Sequence, residues 1–331
     1  MTLVLSPSEV RQLLPMDVCV DLMEQALATL GRGNAINPLR RGMLLPENQG
    51  ILGMMPGYLG APQALGLKVV TVFPGNHGTE FDSHQGIVLL FDTRNGVPAA
   101  ILDASEVTAI RTAAATAVAT RLLSREDARV LAIIGSGVQA RSHVAAMRVV
   151  RGIEHVRVYS PTRVNRERFA VTESERHGIP IDSVLSVEEA VAGADIVCTT
   201  TSAKEPVLRG ASLEPGMHIN AVGSSTRTTR ELDTEAVARC RLFVDRREST
   251  LNEAGDFLFA KADGAIGDDH IQAEIGELLL GTAAGRQSDR EITLFKSLGL
   301  AIEDLAAAAY AYQRARVAGI GTTVDLGGKR E

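Results

Sequence analysis

Cysteine is scarce in this chain, and the three present, Cys19, Cys198 and Cys240, lie far apart in apolar settings. They read as core thiols of a reducing compartment rather than as a disulfide framework. The seven histidines are scattered too, with no His-x-x-x-His or Cys-x-x-Cys spacing, so no metal site is expected. No block of basic residues stands out. With 40 acidic residues against 34 basic ones the formal net charge is −6, and nucleic acid is not an expected partner. No apolar segment is long enough to span a bilayer, and the first residues lack the basic-then-apolar pattern of a signal peptide. A cytoplasmic protein without a membrane partner is expected.

What is present is core. Hydrophobic residues make up 45% of 331 positions, enough for one large or two moderate domains. Ser6-Pro7-Ser8-Glu9 has the spacing of a capping box, with Pro7 at the first helical position. A second helix is predicted from Met16 to Leu30, where Val18, Leu22, Ala26 and Leu30 recur at helical spacing before Gly31 and Gly33. From Asn37 to Asp103 the pattern turns to strands. Gly66–Phe73, Ile87–Asp92 and Pro98–Leu102 are predicted strands, the last after Asn95-Gly96, a dipeptide favoured in tight hairpin turns. This first region reads as α+β.

Ser105–Leu123 then reads as an alanine-rich helix and Ser124–Asp127 as a linker. Beyond it, predicted strands at Val130–Ile134, Val156–Tyr159, Ile196–Thr200, His218–Val222 and Leu242–Asp245 alternate with helices. That alternation implies an α/β fold with a doubly wound parallel sheet. A final helix is predicted from Ser297 to Arg316, with Leu298, Ile302, Leu305, Ala309 and Tyr312 along one face. Gly319, Gly321, Gly327 and Gly328 mark a loose tail.

The strand Val130–Ile134 ends in Gly135-Ser136-Gly137-Val138-Gln139-Ala140 and opens a helix. This is the Gly-x-Gly-x-x-Ala form of a dinucleotide site. Gly135 permits the tight turn, Gly137 lets the backbone approach a pyrophosphate, and Ala140 keeps the helix close to the strand. The phosphates would sit on the unpaired N–H groups of the helix N-terminus. In an NAD site an acidic residue usually ends the next strand and binds the ribose 2′-hydroxyl. Here Val156–Tyr159 is followed by Ser160-Pro161-Thr162-Arg163, two hydroxyls and a guanidinium with no carboxylate. That set suits a 2′-phosphate, so NADPH is favoured, with NADH still possible. Arg163 as an ordinary solvated residue in a first helical turn is the plainer alternative.

Three cations lie outside this region in structured, apolar settings: Arg40 after Asn37-Pro38-Leu39, Lys68 inside the strand Gly66–Phe73, and Arg111 in the helix Ala109–Ala115. A lone cation of this kind is usually a surface residue with its stem on apolar surface. Arg111 fits that description poorly, because its helical neighbours are small and apolar. Buried cations need anionic partners, and a substrate carboxylate or cofactor phosphates would serve. Composition does not show whether the three converge.

Taken in order, several segments resemble the ornithine cyclodeaminase/mu-crystallin family over nearly the whole chain. They are Pro38-Leu39-Arg40, Met54-Met55-Pro56, Gly66-Leu67-Lys68, Ser83-His84-Gln85, Thr108–Ala114, Gly135–Ala140, Ile219–Gly223 and Phe295–Gly299. The resemblance implies a homodimer. It implies a Rossmann-type NADP-binding domain at 121–297, and a substrate and dimerisation domain at 1–120 completed by the C-terminal helix and 298–331. It implies that Arg40, Lys68 and Arg111 hold a substrate carboxylate, Lys68 and Arg111 serving catalysis as well. Thr112, Ser136, Gly137, Val138 and Gln139 are implied cofactor-phosphate contacts, with Arg111 beside them. Ser160, Thr162, Arg163 and Asn165 fall where reductase members hold the adenosine 2′-phosphate, and Thr201, Val222 and Ser297 near the nicotinamide half. His84 is a further candidate for cofactor contact, a fold-supporting histidine being equally consistent.

The chain departs from the cyclodeaminase pattern at two places. Gly53 stands where those enzymes carry the acid that holds a distal amine, and Ser225, in the substrate pocket, stands where they carry an aspartate acting on the amino group. A serine hydroxyl accepts no proton near neutral pH without an activating base, although a neighbouring carboxylate such as Glu231 or Asp82 would compensate. The pattern is similar to ketimine and pyrroline-2-carboxylate reductases, which act on preformed imines. An NADPH-dependent reductase of small cyclic 2-imino acids is therefore expected. The alternatives are an ornithine cyclodeaminase or open-chain amino or imino acid dehydrogenase, and an NADPH-dependent small-molecule binder.

Overall fold

The computed structural model describes residues 1–76 and 78–327. The chain divides into two compact units, Met1–Arg111 joined by the chain from Leu300 on, and Thr112–Gly299.

The first unit opens with β1 (Thr2–Leu5), α1 (Pro7–Leu13) and α2 (Met16–Gly31). The Glu9 carboxylate accepts the Ser6 backbone N–H at 2.8 Å, the reach-back half of a capping box. Strands β2 (Ala35–Ile36), β3 (Arg41–Leu44), β4 (Ile51–Gly60), β5 (Gln63–Val72), β6 (His84–Phe91) and β7 (Pro98–Asp103) follow, then helix α3 (Ala104–Leu123). Between β6 and β7 the chain takes six residues, Asp92–Val97, rather than a two-residue turn. Gly96 adopts φ +74° there and donates to the Asp92 carbonyl.

The second unit takes up β8 (Val130–Ile134), α4 (Val138–Val150), β9 (His155–Tyr159), α5 (Arg163–His177), β10 (Ile181–Ser183), α6 (Val187–Val191) and β11 (Ile196–Thr199). It continues through β12 (His218–Ala221), α7 (Thr234–Arg239), β13 (Arg241–Val244), α8 (Arg247–Glu253), α9 (Gly255–Ala262), β14 (Ile271–Glu274), α10 (Ile275–Leu279) and β15 (Thr293–Lys296). The chain then returns to the first unit with α11 (Ala301–Ala318) and β16 (Thr322–Val324).

All eight strands of the second unit run parallel, in the order β10-β9-β8-β11-β12-β15-β13-β14. The chain leaves β8 toward β9 and β10, then crosses back to β11 and β12, which makes a switch point between β8 and β11. Ligands of such sheets bind at the carboxyl ends of the strands at that point. Its central strands are buried on both faces, which is why Val130–Ile134 reads as an unbroken apolar run.

The first unit's sheet runs β16-β1-β7-β6-β5-β4-β2, antiparallel apart from the β1–β7 pair, with β3 on β4. Helix α11 is buried against it, and small side chains make this possible. Gly57 and Gly66 face each other across β4 and β5. A Cβ on Gly57 would come within 3.1 Å of Ala301, and one on Gly66 within 3.0 Å of Leu305 and 1.9 Å of the Leu89 carbonyl.

Two expectations need correction. The unit boundaries fall between Arg111 and Thr112 and between Gly299 and Leu300, not at 120/121 and 297/298. Helix α3 is continuous across the first. Its second half joins the nucleotide-type sheet because Thr116 hydrogen-bonds His143 at 3.2 Å and Thr120 accepts from Asn220 at 3.0 Å. Leu298 and Gly299 stay with that unit because both backbone N–H groups donate to the buried Asp245 carboxylate, at 2.6 and 2.7 Å. The tail is also less loose than its glycines suggest. Thr322–Val324 pairs with Thr2–Val4, satisfying a strand edge, while Gly328 lies outside the described residues.

Candidate functional site

In the first unit, β5 places Lys68 and α3 places Arg111, both 4% exposed. Each has found a carboxylate on α11. Asp304 is shared between them, one oxygen 2.8 Å from Lys68 Nζ and the other accepting Arg111 Nε at 2.8 Å. Glu303 accepts Arg111 Nη1 at 2.7 Å, and Lys68 Nζ also donates to Thr108 Oγ1 at 3.3 Å. Glu303 and Asp304 are themselves buried. Both were missed by sequence reasoning, although two adjacent acids in the apolar helix Ala301–Ala309 were a visible anomaly.

Arg40 lies half-buried in the coil between β2 and β3. Burial pushes the Lys68 ammonium down to about 8 against the pull of Asp304, and the charges of Arg111 and Arg40 push the same way. Crowding of its ring and the charge of Lys68 lower the pKa of His84, which opens β6 with Nδ1 3.0 Å from Ser83 Oγ. The three cations and His84 therefore occupy one electrostatic neighbourhood. Glu303 and Asp304 supply carboxylates to Lys68 and Arg111, and Asp82 acts on His84. Among the described residues Arg111 Nη2 makes no hydrogen bond.

In the second unit, the β8–α4 turn has the geometry of a phosphate cradle. Gly135 takes φ +117°, donates its N–H to the Tyr159 carbonyl at 2.8 Å, and lies so near β11 that a Cβ would meet the Thr200 carbonyl at 2.8 Å. Gly137 caps α4, and a Cβ there would meet nothing within 4 Å. Open space thus sits directly over the first-turn N–H groups of α4, flanked by half-buried Ser136 and Gln139 and exposed Val138, while Ala140 is buried against the sheet. Thr112 is buried in α3. These residues fit a dinucleotide pyrophosphate.

At the next turn Ser160 is buried, Thr162 caps α5, and Arg163 and Asn165 are exposed. No carboxylate closes β9, but Arg163 Nε is engaged by Glu167 Oε1, one helical turn on, at 2.7 Å.

The other half of the sheet carries Thr201, Val222 and Ser297. Val222 donates to the Thr199 carbonyl and Ser297 to the Ala221 carbonyl, each at 3.0 Å, so the three sit at neighbouring strand ends. Beneath them lies Glu231, fully buried. Its Oε1 accepts the Thr201 N–H and hydroxyl at 2.7 Å each. Its Oε2 accepts the Thr199 hydroxyl at 2.8 Å, the Gly223 N–H at 2.7 Å and the Ser224 N–H at 3.3 Å. Burial pushes this carboxyl up and the charge of Lys296 pulls it down. Every neighbour is a donor, which suits the ionised form. Both oxygens are occupied, so Glu231 does not supply the acid missing at half-exposed Ser225, and Asp82 is exposed on the loop before β6. Among the described residues no cluster of three or more metal-ligating side chains occurs, and no helix is long and apolar enough to cross a membrane.

The sequence profile of the ornithine cyclodeaminase/mu-crystallin family matches residues 1–319. The ketimine reductase mu-crystallin of Mus musculus is 42% identical over 293 residues, 88% of this chain and 90% of that protein. The Δ1-pyrroline-2-carboxylate reductase of Bacillus cereus is 38% identical over 325 residues, 98% of this chain and 100% of its own. A solved structure of the Thermococcus litoralis Δ1-pyrroline-2-carboxylate reductase, in complex with NADH and L-proline, superposes with a TM-score of 0.96 at 41% identity. It covers 98% of this chain and 100% of that one.

Proposed function

The chain belongs to the ornithine cyclodeaminase/mu-crystallin family, and on that premise we propose that it is an NADPH-dependent reductase of small cyclic 2-imino acids. The substrates would be Δ1-pyrroline-2-carboxylate, giving L-proline, or Δ1-piperideine-2-carboxylate, giving L-pipecolate. The observation that carries this reading is the pair of buried cations, Lys68 and Arg111, held side by side by Asp304.

Arg111, fixed through Nε and Nη1, keeps Nη2 for a substrate carboxylate, and Lys68 and Arg40 add charge beside it. Holding the carboxylate fixes the ring, which is catalysis by orientation and electrostatics. The bound nicotinamide supplies the hydride. A cyclic imine is readily protonated, so the site needs no strong acid. Gly53 on β4 and Ser225 carry no charge where cyclodeaminases carry acids, which suits a ring without a second amine. Cyclodeamination would need an acid/base that Ser225 does not provide and that Glu231, with both oxygens occupied, is in no position to replace.

For the cofactor, Gly135–Gln139 and Thr112 would take the pyrophosphate. Thr201, Val222 and Ser297 would lie along the nicotinamide half. Ser160, Thr162, Arg163 and Asn165 would take a 2′-phosphate, the guanidinium keeping N–H groups beyond the one engaged by Glu167. A homodimer through the first unit fits the exposure of Ile36, Met43 and Leu44 at 63%, 52% and 70%. A cytoplasmic location fits the three free, buried thiols.

The test follows oxidation of NADPH and NADH with each cyclic imine, and ammonia release from ornithine in parallel. Rapid NADPH oxidation without ammonia release is expected, and the better ring names the substrate. Ornithine turnover with no imine reduction would overturn the reading.

A further inference from the structure

Glu231 belongs to a larger buried assembly. Lys296, at the end of β15, lies 2.8 Å from Asp256 Oδ2 and donates to the Ser224 carbonyl at 2.5 Å and the Ala221 carbonyl at 3.3 Å. Asp256, in the first turn of α9, accepts the backbone N–H groups of Glu231 and Leu232 at 2.8 and 2.9 Å. All three charged residues are at most 3% exposed. Together they join the carboxyl ends of three adjacent strands: β11 through Thr199 and Thr201, β12 through Ala221, Gly223 and Ser224, and β15 through Lys296.

These ends need such a device. Past the last ladder bond, their backbone N–H groups lose regular partners. A carboxylate is the side chain that accepts several bonds while donating none. The fit is close: a Cβ on Gly223 would meet the Thr201 carbonyl at 2.2 Å and Glu231 Oε1 at 2.5 Å. The strand order also assigns the location. β9 lies on one side of β8, and β11 and β12 on the other. A dinucleotide whose pyrophosphate sits at the β8 end therefore lays one nucleoside toward β9 and the other over the ends that Glu231 joins.

We infer that Glu231, held by Lys296 and Asp256, is a positioning residue for the nicotinamide half of the cofactor, fixing the Thr199–Thr201 and Val222–Ser224 segments on which that half rests. The inference rests on the cofactor reading above. A network serving the fold alone would affect every cofactor fragment equally, whereas this one is selective.

The experiment compares binding of NADPH with 2′-phospho-ADP-ribose, and of NADH with ADP-ribose, to the full chain by calorimetry. Each pair differs only in the nicotinamide ring. For Glu231→Gln, whose amide places an N–H₂ group among donors, affinity for the ring-bearing member is expected to fall about tenfold. Affinity for the ring-less member should stay within about twofold. Thr199→Val, which removes one donor and no charge, is expected to show the same selectivity at about threefold, and it decides the matter if Glu231→Gln does not fold. Equal weakening of both members, or no change in either, would overturn the inference. Failure of the unaltered protein to bind any of the four ligands would instead overturn the cofactor reading.

Discussion

Each unit contains a buried cluster of charge around its candidate site residues, and these two are built on opposite principles. In the second unit, Glu231, Asp256 and Lys296 carry one negative charge in excess, and the oxygens of Glu231 are consumed by protein donors. In the first, Lys68 and Arg111 share Asp304, Glu303 takes a second edge of Arg111, and Arg111 retains an unused edge. A saturated cluster holds backbone in place. A cluster in which a buried guanidinium keeps an unused donor edge can still take an anion, because buried donors favour a partner.

The strongest way to break this contrast is Arg111→Ala. It removes the guanidinium from Glu303 and leaves Asp304 to Lys68 alone, and removing one member of a buried pair costs about 3–5 kcal/mol. It also deletes the main carboxylate contact, so kcat/KM for the imino acid is expected to drop at least a hundredfold. Arg111→Lys should recover folding but little activity, since one ammonium cannot serve Asp304, Glu303 and substrate together. Steady-state kinetics and thermal unfolding check both, and unchanged kinetics in Arg111→Ala would remove the residue from the site.

Titration of Lys68 sharpens the contrast at a smaller scale. Its ammonium is pushed down to about 8, so KM for the imino acid should climb about fivefold as pH rises from 8 to 9. Lys68→Arg, whose charge does not titrate there, should flatten that climb. The imine's own protonation affects both proteins alike, so the ratio of their profiles isolates Lys68 from the neighbouring His84, Arg40, Arg111, Glu303 and Asp304. Stability should move the other way. Between about 8 and the ordinary lysine value of 10.5 the unfolded chain binds the extra proton, so the contribution of Lys68 to stability rises with pH across that window. Denaturant melts across that range measure it.

Smaller effects belong to the exposed corner at α5. Arg163→Ala is expected to raise KM for NADPH about tenfold and leave that for NADH unchanged. Glu167→Gln, which releases the guanidinium from an exposed pair worth little, should lower KM for NADPH by about twofold. An Arg163→Ala protein that treats both cofactors as before would return that arginine to the solvent.

What the sequence disclosed follows the range of the interactions concerned. The Gly135–Ala140 turn, the helix from Met16 and the central parallel strands are short-range patterns, and all were legible. The strand β4 was not, because Gly53, Pro56, Gly57 and Gly60 argue against a strand interior. Gly57 is there for the close approach of α11, a partner distant in sequence, while Gly60 makes room for the Asn34 side chain. The three-residue strand β10 is too short to show a period, and β14 and β15 were not read as strands. Of the site, the three cations stood out as misplaced charges. Their carboxylates lie 192 and 193 residues beyond Arg111, and no local pattern connects them. Glu231 was legible as a nearby acid, and only its five donors reveal that it is not available for proton transfer.

The placement of those carboxylates also sets an order in time. On the ribosome, Lys68 and Arg111 emerge before the whole of Thr112–Gly299, and Glu303 and Asp304 after it. Until α11 arrives, the first unit has two cations that it cannot afford to bury and a sheet face with nothing upon it. The second unit is contiguous and waits for nothing. The second unit can therefore be complete while the cation cluster of the first still lacks its carboxylates, and a nascent chain halted before residue 303 would carry the one without the other.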